Sequence, residues 1–125
     1  MPIPTRILVS EKKDALILEY QGDVRFTLPA EYLRVFSPSA EVRGHGKGQE
    51  VLQTGKRHVL INRLEKSGNY AIQITFDDGH DSGIFSWDYL FQLGANQTPN
   101  WADYLRRLHE ENQSRDPDIQ VVKLS

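Results

Sequence analysis

The sequence predicts an α+β fold, a single domain built mainly of antiparallel β-sheet in hairpins and meanders, with two to three helices. Three observations support this prediction. Short apolar segments alternate with polar residues and are separated by tight turns from the N-terminus to Phe85. Two helical stretches follow. Hydrophobic residues make up 38% of the 125 residues, which is enough for one buried core.

The first part of the chain predicts a three-stranded antiparallel meander followed by a short helix. In the third strand Val24, Phe26 and Leu28 alternate with polar residues, the pattern of a strand with one buried face. Pro29 suits the first position of a helix, which we expect to stop at Ser37–Pro38. The predicted elements are strands over residues 5–10, 15–20 and 24–28 and a helix over residues 29–35.

The second part begins with residues 36–55, whose many glycines, scattered charges and lack of periodicity predict a long loop. Sheet resumes after it and gives way to two helices. Ser86 is a suitable N-cap for the first helix and Gly94 a suitable C-terminal stop. Thr98 or Asn100 would open the second. The predicted elements are strands over residues 58–65, 70–76 and 82–85 and helices over residues 87–93 and 101–112.

We expect the domain to span residues 1–114, with residues 115–125 as a flexible tail or an edge strand.

Composition limits the function classes. No apolar run is long enough for a membrane span, and the N-terminus lacks the features of a secretory signal, so we expect a soluble cytoplasmic protein. A net charge of −2 gives no reason to expect nucleic acid or membrane partners. The absence of cysteine excludes disulfides and thiolate metal sites.

Two polar loops hold the best candidates for function, because loops on a rigid scaffold often carry it. In the first, Arg43, His45 and Lys47 alternate with glycines. Glycine amides together with two cations could bind a phosphate. In a Walker loop, however, the lysine is followed by serine or threonine, whereas Lys47 is followed by Gly48–Gln49. A flexible surface loop and a specific ligand or partner contact therefore both remain open.

The second loop, residues 77–83, contributes His80 and three aspartates. His45 and His80 could bind zinc, iron or manganese, with Asp77, Asp78 or Asp81 completing the ligand set. A histidine held in a turn by hydrogen bonds is the commoner alternative. We expect no cofactor, with zinc or iron as the alternative.

General acid–base chemistry by Asp77–Asp78 beside His80 is a further interpretation of the second loop. The serines that could act as nucleophiles do not form a nucleophile elbow, and Asp78-Gly79 is typical of a turn. These serines are Ser37, Ser39, Ser82 and Ser86.

In the following helix Trp87 belongs to an aromatic run in which some side chains are core and one or two would form an exposed contact patch.

With LRVFSPSAE, GNYAI and DGHDSGIFSWDYL in this order, the chain resembles the gamma-butyrobetaine hydroxylase N-terminal-like domain family over about residues 7–108. Many short bacterial members of that family stand alone and have no known function. The same module precedes the oxygenase domain of gamma-butyrobetaine and trimethyllysine hydroxylases and is attached to some Mrp-type ATPases that carry iron–sulfur clusters. The resemblance implies the fold but not the oxygenase activity, which belongs to a separate domain.

The resemblance also implies a lost zinc site. In the hydroxylase branch three cysteines and a histidine hold a structural zinc, and their positions here are Ser37, Ser39, Val42 and His80. Hydroxyl and isopropyl groups do not replace thiolates as zinc ligands. This chain therefore resembles a branch of the family without cysteines, unless His45 and acidic neighbours rebuild a weaker site.

From these observations we expect a non-catalytic binding or adaptor module with a protein partner, linked to iron–sulfur or metalloprotein maturation by analogy with the fused ATPases. The alternatives are a metal-binding protein that uses His45 and His80 and an accessory domain related to 2-oxoglutarate oxygenases. The residues expected to contact the partner or ligand are Arg43, His45, Lys47, Asp78, His80, Asp81 and Trp87.

Overall fold

The fold consists of two three-stranded antiparallel sheets and four α-helices, as seen in a computed structural model that describes residues 2–44, 48–119, 121–122 and 124. This confirms the predicted α+β class. The strands are β1 Arg6–Val9, β2 Ala15–Glu19, β3 Arg25–Pro29, β4 Ile61–Ser67, β5 Ala71–Phe76 and β6 Gly83–Ser86. The helices are α1 Ala30–Val35, α2 Ala40–Arg43, α3 Trp87–Ala95 and α4 Gln97–Glu110, with a short 3-10 helix at Gln21–Asp23.

The strand order is β1-β2-β3 in the first sheet and β4-β5-β6 in the second. The predicted alternation in β3 places Leu28 opposite Leu16 of β2, and both side chains are fully buried. A register shift between Ile61 and Arg63 interrupts the pairing of β4 with β5. The sheets are connected through the turn after β1, where the Ile61 amide donates a hydrogen bond to the Lys13 carbonyl (2.8 Å).

One main hydrophobic core lies among the two sheets, α1 and α3. Each large apolar side chain that is fully buried contributes about 1.5–3 kcal/mol relative to an exposed position. A smaller cluster joins α1 to α4 through Val35, Tyr104 and Leu108. The most deeply buried apolar members of the main core are Leu16, Leu18, Leu28, Tyr32, Leu33, Ile61, Ile74, Phe76, Phe85 and Leu90.

The predicted long loop over residues 36–55 is wrong at Ala40–Arg43, which form α2. A helix of four residues has too little periodicity to be seen in a sequence, and short helices depend on tertiary contacts. The buried Val42 supplies that contact, and its carbonyl accepts a hydrogen bond from the Val51 amide (2.7 Å).

Two of the predicted helix ends need correction. Gly94 is not the end of α3, which continues to Ala95; a Cβ at Gly94 would collide with the Phe26 ring, so glycine permits close packing there. The last helix begins at Gln97, with Asn96 and not Thr98 or Asn100 at the N-cap. Ser86 does cap α3 as predicted, because its hydroxyl accepts a hydrogen bond from the Tyr89 amide (3.1 Å).

The first residues of the predicted tail pack against the domain. The Ser114 carbonyl accepts a hydrogen bond from the Gly55 amide (2.9 Å), and the Arg115 carbonyl accepts one from the Arg57 amide (3.0 Å). The Arg115 guanidinium binds both oxygens of Glu31 at 2.7 and 2.8 Å. No strand is formed by residues 115–119, 121–122 or 124, so the described part of the tail does not make an edge strand.

Among the helices of the described residues, none has the length and apolar character needed to cross a membrane.

Candidate functional site

His80 ends the turn that joins β5 to β6. The Phe76 amide donates a hydrogen bond to the His80 carbonyl (2.9 Å), and the Gly79 amide donates one to the Phe76 carbonyl (3.1 Å). Gly79 takes a φ of +89°, which glycine adopts without steric cost. Asp78 Oδ1 accepts a hydrogen bond from the His80 amide (3.1 Å). The turn thereby directs the imidazole inward, where its side chain is 3% exposed.

Two serine hydroxyls face the buried imidazole. Ser37 Oγ lies 2.8 Å from His80 Nε2, and Ser39 Oγ lies 3.3 Å from the same nitrogen. On the other side of the ring, Glu41 Oε2 lies 3.4 Å from Nδ1. We call these four residues the His80 cluster. The segment between α1 and α2 therefore meets the turn after β5, although more than 40 residues of sequence separate them.

Burial lowers the pKa of His80, and the positive charge of Arg34 lowers it further, against the opposite effect of Glu41 and Asp78. The imidazole is therefore neutral at pH 7. A neutral ring donates a hydrogen bond from one nitrogen and accepts one at the other. A proton on Nδ1 would point toward Glu41 and leave Nε2 to accept from a serine hydroxyl.

The order serine, histidine, carboxylate is also that of a hydrolase triad. In this structure Ser37 is 1% exposed, and β6 packs against its hydroxyl so closely that a Cβ at Gly83 would collide with it. A nucleophile needs space for the reacting carbonyl at about 3–3.5 Å. The His80 cluster thus has the geometry of a buried structural hydrogen-bond network.

A charged group adjoins the His80 cluster. Asp78 Oδ2 lies 2.9 Å from Arg34 Nε and 2.9 Å from Lys56 Nζ, and Arg34 Nη1 also donates to Gln53 Oε1 (3.0 Å). Burial alone would raise the pKa of Asp78, but hydrogen bonds from Lys56, the His80 amide and Arg34 outweigh it and lower the pKa to about 2. Asp78 is therefore ionised and paired within the chain.

An open cavity of about 780 Å³ lies beside α2, and we call it the α2–α4 groove. It lies between α2, the segment 48–53 and the facing sides of α3 and α4. Two arginines, two carboxylates and several apolar or aromatic side chains line it. The lining residues are Val35, Phe36, Ser37, Val42, Arg43, Gly48, Glu50, Val51, Leu52, Gln53, Tyr89, Asp103, Tyr104 and Arg107.

The structure gives different surroundings to three of the residues predicted to form one contact surface. Arg43 is exposed at the groove, with its guanidinium carbon 5.1 Å from the centre of the Tyr89 ring. Asp81 is exposed on the turn before β6, and its carbonyl accepts a hydrogen bond from Gln73 (2.6 Å). The placement of Trp87 in the contact surface was wrong, because this residue is 6% exposed in the core and its indole donates to the Asn69 carbonyl (2.8 Å).

The predicted pairing of His45 with His80 lies outside what the structure describes, and so does Lys47. Within residues 2–44, 48–119, 121–122 and 124, no group of three histidine or carboxylate side chains is placed to hold a metal ion. His80 itself is surrounded by the hydroxyls of Ser37 and Ser39, which are poor zinc ligands.

Comparison with known sequences supports the resemblance seen in the motifs. The sequence model of a family described as gamma-butyrobetaine hydroxylase-like, N-terminal matches residues 7–91, which is more than half of the chain. The chain belongs to this family. A comparison with curated proteins finds no match.

Solved structures of similar proteins share the fold of this gamma-butyrobetaine hydroxylase-like N-terminal domain. An NMR solution structure is 51% identical, covers 99% of this chain and 98% of its own, and superposes with a TM-score of 0.84. A second NMR structure is 44% identical over 100% and 94% of the two chains, with a TM-score of 0.79. A crystal structure of a protein with unknown function from Acidithiobacillus ferrooxidans, of the DUF971 family, is 33% identical over 74% and 92%, with a TM-score of 0.61.

In this gamma-butyrobetaine hydroxylase-like N-terminal domain, sequence reasoning missed several residues of the two sites. Glu41 gave no signal, because a charged side chain in a polar loop or short helix is normally solvated. Arg34 was recognised only as one of several positive charges around the first loop. Tyr89 was recognised only as part of the aromatic run that includes Trp87, and Arg107 only as a residue of the predicted helix over residues 101–112. The spacing of Tyr104 and Arg107 on α4 places both on one face, and that was the one available indication that they line a common surface.

Proposed function

We propose that this chain is a non-catalytic binding module that contacts a protein partner through the α2–α4 groove, with Arg43 at its edge. The observation that carries the proposal is the contrast between two neighbouring sites. The polar groups of the His80 cluster and of Asp78 are satisfied inside the chain. The groove, in contrast, is an open cavity of about 780 Å³ with aromatic walls.

The geometry supports binding over catalysis. Ser37 and His80 are the best-placed pair for nucleophilic chemistry, and both are buried. Asp78, the best-placed carboxylate, is held ionised by two cations, which makes it a weak base and no acid at pH 7. A large concave site with a few polar groups is, in addition, the usual form of a binding site.

Affinity capture tests this function. Wild-type protein and an Arg43→Ala/Arg107→Ala variant are used to capture proteins from an extract of the source cells, and the retained proteins are identified by mass spectrometry. We expect at least one partner that the wild type retains and the variant loses. Arg25→Ala is the matched control, because Arg25 is exposed on β3 and does not line the groove. Identical partner lists for all three proteins would contradict the assignment of the contact surface to the α2–α4 groove.

For the partner itself we propose a protein of iron–sulfur or metalloprotein maturation. The support is the resemblance to modules that are attached to Mrp-type ATPases. The direct test is co-expression of this chain with the Mrp-type ATPase of its own organism, followed by purification through a tag on the ATPase. Co-purification that Arg43→Ala/Arg107→Ala abolishes is the expected result. An ATPase that purifies without this chain would contradict this choice of partner.

Metal binding through His80 and His45 is the second candidate. One observation favours it: burial keeps the His80 imidazole neutral, which is the form that binds metal ions. The test is metal analysis of protein purified without a histidine tag, together with thermal unfolding after addition of zinc or iron. Stoichiometric metal that is lost in His45→Ala would support this role, whereas no metal and no thermal shift would exclude it.

A further inference from the structure

The floor of the α2–α4 groove presents carbon surface to an occupant. The hydroxyls of its two tyrosines are already used, since Tyr89 donates to the Phe36 carbonyl (2.5 Å) and Tyr104 donates to the Gln53 carbonyl (2.8 Å). The half-buried Tyr89 ring, with the nearby aliphatic side chains, therefore offers contacts that suit an apolar group, whereas Tyr104 is only 2% exposed. Val51 stands at the rim and is 52% exposed.

The two arginines of the groove lining are open to a new ion pair, although the lining also holds two carboxylates. Among the described residues, neither Arg43 nor Arg107 has a carboxylate partner. Of the two acidic side chains in the lining, Asp103 binds Arg106 on the outer side of α4 (2.6 Å), and Glu50 is already engaged in a polar interaction. An occupant therefore meets two guanidinium groups that make no ion pair with a described residue of the chain.

Arg43 is held in place before any ligand arrives. Its guanidinium lies over the Tyr89 ring and interacts with the hydroxyl of that residue. Burial raises the pKa of Tyr89, and the interaction with Arg43 partly offsets this rise. Stacking of this kind fixes the plane of the guanidinium, and a fixed plane loses less conformational entropy when it binds a carboxylate. Guanidinium groups bind carboxylates with two parallel hydrogen bonds.

We propose that the α2–α4 groove binds an acidic segment of the partner protein. A leucine or phenylalanine of the segment packs against Tyr89 and Val51, and flanking aspartate or glutamate side chains pair with Arg43 and Arg107. The inference rests on the proposed function and specifies its ligand. The whole chain carries a net charge of −2, so attraction of an acidic segment has to come from these local cations and weakens as salt screens them.

Fluorescence anisotropy with synthetic peptides tests the inference. The probes are labelled peptides of about twelve residues, each with one central Leu or Phe flanked by Asp or Glu; in matched peptides Asn and Gln replace the acidic residues. The acidic peptides should bind the wild type more tightly than the amide peptides, and their advantage should shrink as NaCl is raised from 50 to 300 mM. Arg43→Ala and Arg107→Ala should each weaken acidic-peptide binding about fivefold, as expected for one partly exposed ion pair, and Arg25→Ala should leave it unchanged.

Substitutions at Val51 provide a second test that leaves both arginines intact. Val51→Glu places a negative charge at the rim and should weaken acidic-peptide binding more than Val51→Lys, which should leave it equal or tighter. The side chain is exposed, and both hydrogen bonds of this residue to described residues are made by its backbone, so both variants should fold. Equal effects of Val51→Glu and Val51→Lys would overturn the charge argument.

Other outcomes also decide the matter. Equal affinity for acidic and amide peptides, or equal losses in Arg43→Ala and Arg25→Ala, would overturn the inference. So would binding of free 3-phenylpropionate as tight as that of the peptides, because the groove would then be a small-molecule site.

If no acidic peptide binds but affinity capture still finds a partner that depends on Arg43 and Arg107, this inference is wrong and the proposed function stands. If affinity capture also fails, both are wrong.

Discussion

At the scale of single residues, His80 is the most informative side chain of the chain. Its ring is buried, lies near two hydroxyls and one carboxylate, and has a lowered pKa. The folded state therefore binds a proton on this ring less readily than the unfolded chain, whose histidines titrate near pH 6.5. In the tautomer with its proton on Nδ1, a second proton would also remove the acceptor at Nε2, which faces Ser37.

We therefore expect His80 to make stability fall as pH is lowered. A histidine whose folded pKa is lowered contributes fully above the unfolded pKa, so the loss begins as pH drops through 6.5, at up to about 1.4 kcal/mol per pH unit for one proton. Urea unfolding at pH 7.5, 6.5 and 5.5 measures it, with His80→Gln as the comparison. The variant should be less stable at pH 7.5 and show a weaker decline. Parallel curves would show that His80 is not the group responsible.

The sequence allowed part of the His80 cluster to be anticipated. The resemblance to the hydroxylase branch grouped Ser37, Ser39, Val42 and His80, and the structure brings both serines and His80 together. The resemblance gave no indication of Glu41, or of the pairing of Arg34 with Asp78. A salt bridge between residues 44 positions apart leaves no periodic trace, because its geometry is set by the packing of α1 against the turn after β5.

At the scale of elements, α2 is held by its ends as much as by its own hydrogen bonds. The Ser39 side chain does not cap the helix, as its hydroxyl faces His80 instead. Gly44 terminates the helix with a φ of +69° and a ψ of −144°, and its amide donates to the Ala40 carbonyl (2.9 Å). Gly44 lies so close to Gln49 that a Cβ at Gly44 would collide with the Gln49 carbonyl oxygen.

Two glycines with similar positive φ angles should respond differently to alanine. Gly48 has a φ of +85° with nothing within 4 Å of an added Cβ, so Gly48→Ala should cost about 1–2 kcal/mol, the usual strain of that conformation. Gly44→Ala adds a backbone collision and should cost about 3 kcal/mol or more. Urea unfolding of both variants measures the difference. Equal losses at the two positions would mean that the close approach to Gln49 does not constrain α2.

The C-terminal segment is fixed by a more deeply buried contact. Arg115 binds both oxygens of Glu31, whose side chain is 8% exposed, and its guanidinium carbon lies 5.0 Å from the centre of the Trp101 ring. The predicted domain end at residue 114 therefore precedes a residue that is packed into the fold. Composition suggested a tail here, because Arg115 and its neighbours are polar and their partners lie far away in sequence.

Removal of Arg115 should destabilise the domain strongly. Arg115→Ala leaves Glu31 buried without its cation, and an uncompensated buried charge costs about 3–5 kcal/mol. Arg57→Ala is the control, because Arg57 pairs with Asp116 at 2.7 Å but both side chains are more exposed, at 41% and 26%. The control should lose less than about 1 kcal/mol. Thermal and urea unfolding provide the measurement, and similar small losses in both variants would contradict the role assigned to Arg115.

At the scale of the whole molecule, the sequence predicted the fold class because local patterns carry it. Strands with one buried face alternate in sequence, as β3 does, and the Ser86 cap marks the start of α3. The division into two sheets was not predictable in this way. It depends on contacts such as the hydrogen bond from Ile61 to Lys13, in which residues far apart in sequence meet. The groove is equally non-local, since α2, α3 and α4 each contribute part of its wall.

The whole fold brings the end of α1, the start of α2 and the turn after β5 to one place. This place would suit a metal site if the side chains there supplied metal ligands. Ser37 and Ser39 already lie 2.8 and 3.3 Å from His80 Nε2, and Val42 is buried on α2. A zinc ion with three thiolates and one imidazole needs four donors at about 2.0–2.3 Å from a common centre. The resemblance to the hydroxylase branch implies that these positions can supply them.

A variant with Ser37→Cys, Ser39→Cys and Val42→Cys should therefore bind one zinc ion per chain. Metal bound only by the folded state adds its binding free energy to folding, so the variant should unfold at a higher temperature with zinc than with a chelator. Metal analysis and thermal unfolding measure both effects. Adding His80→Asn to the variant should remove most of the zinc-dependent gain. If the triple variant binds no zinc, these positions do not form the site that the resemblance implies; if the wild type gains equally from zinc, the metal is bound elsewhere.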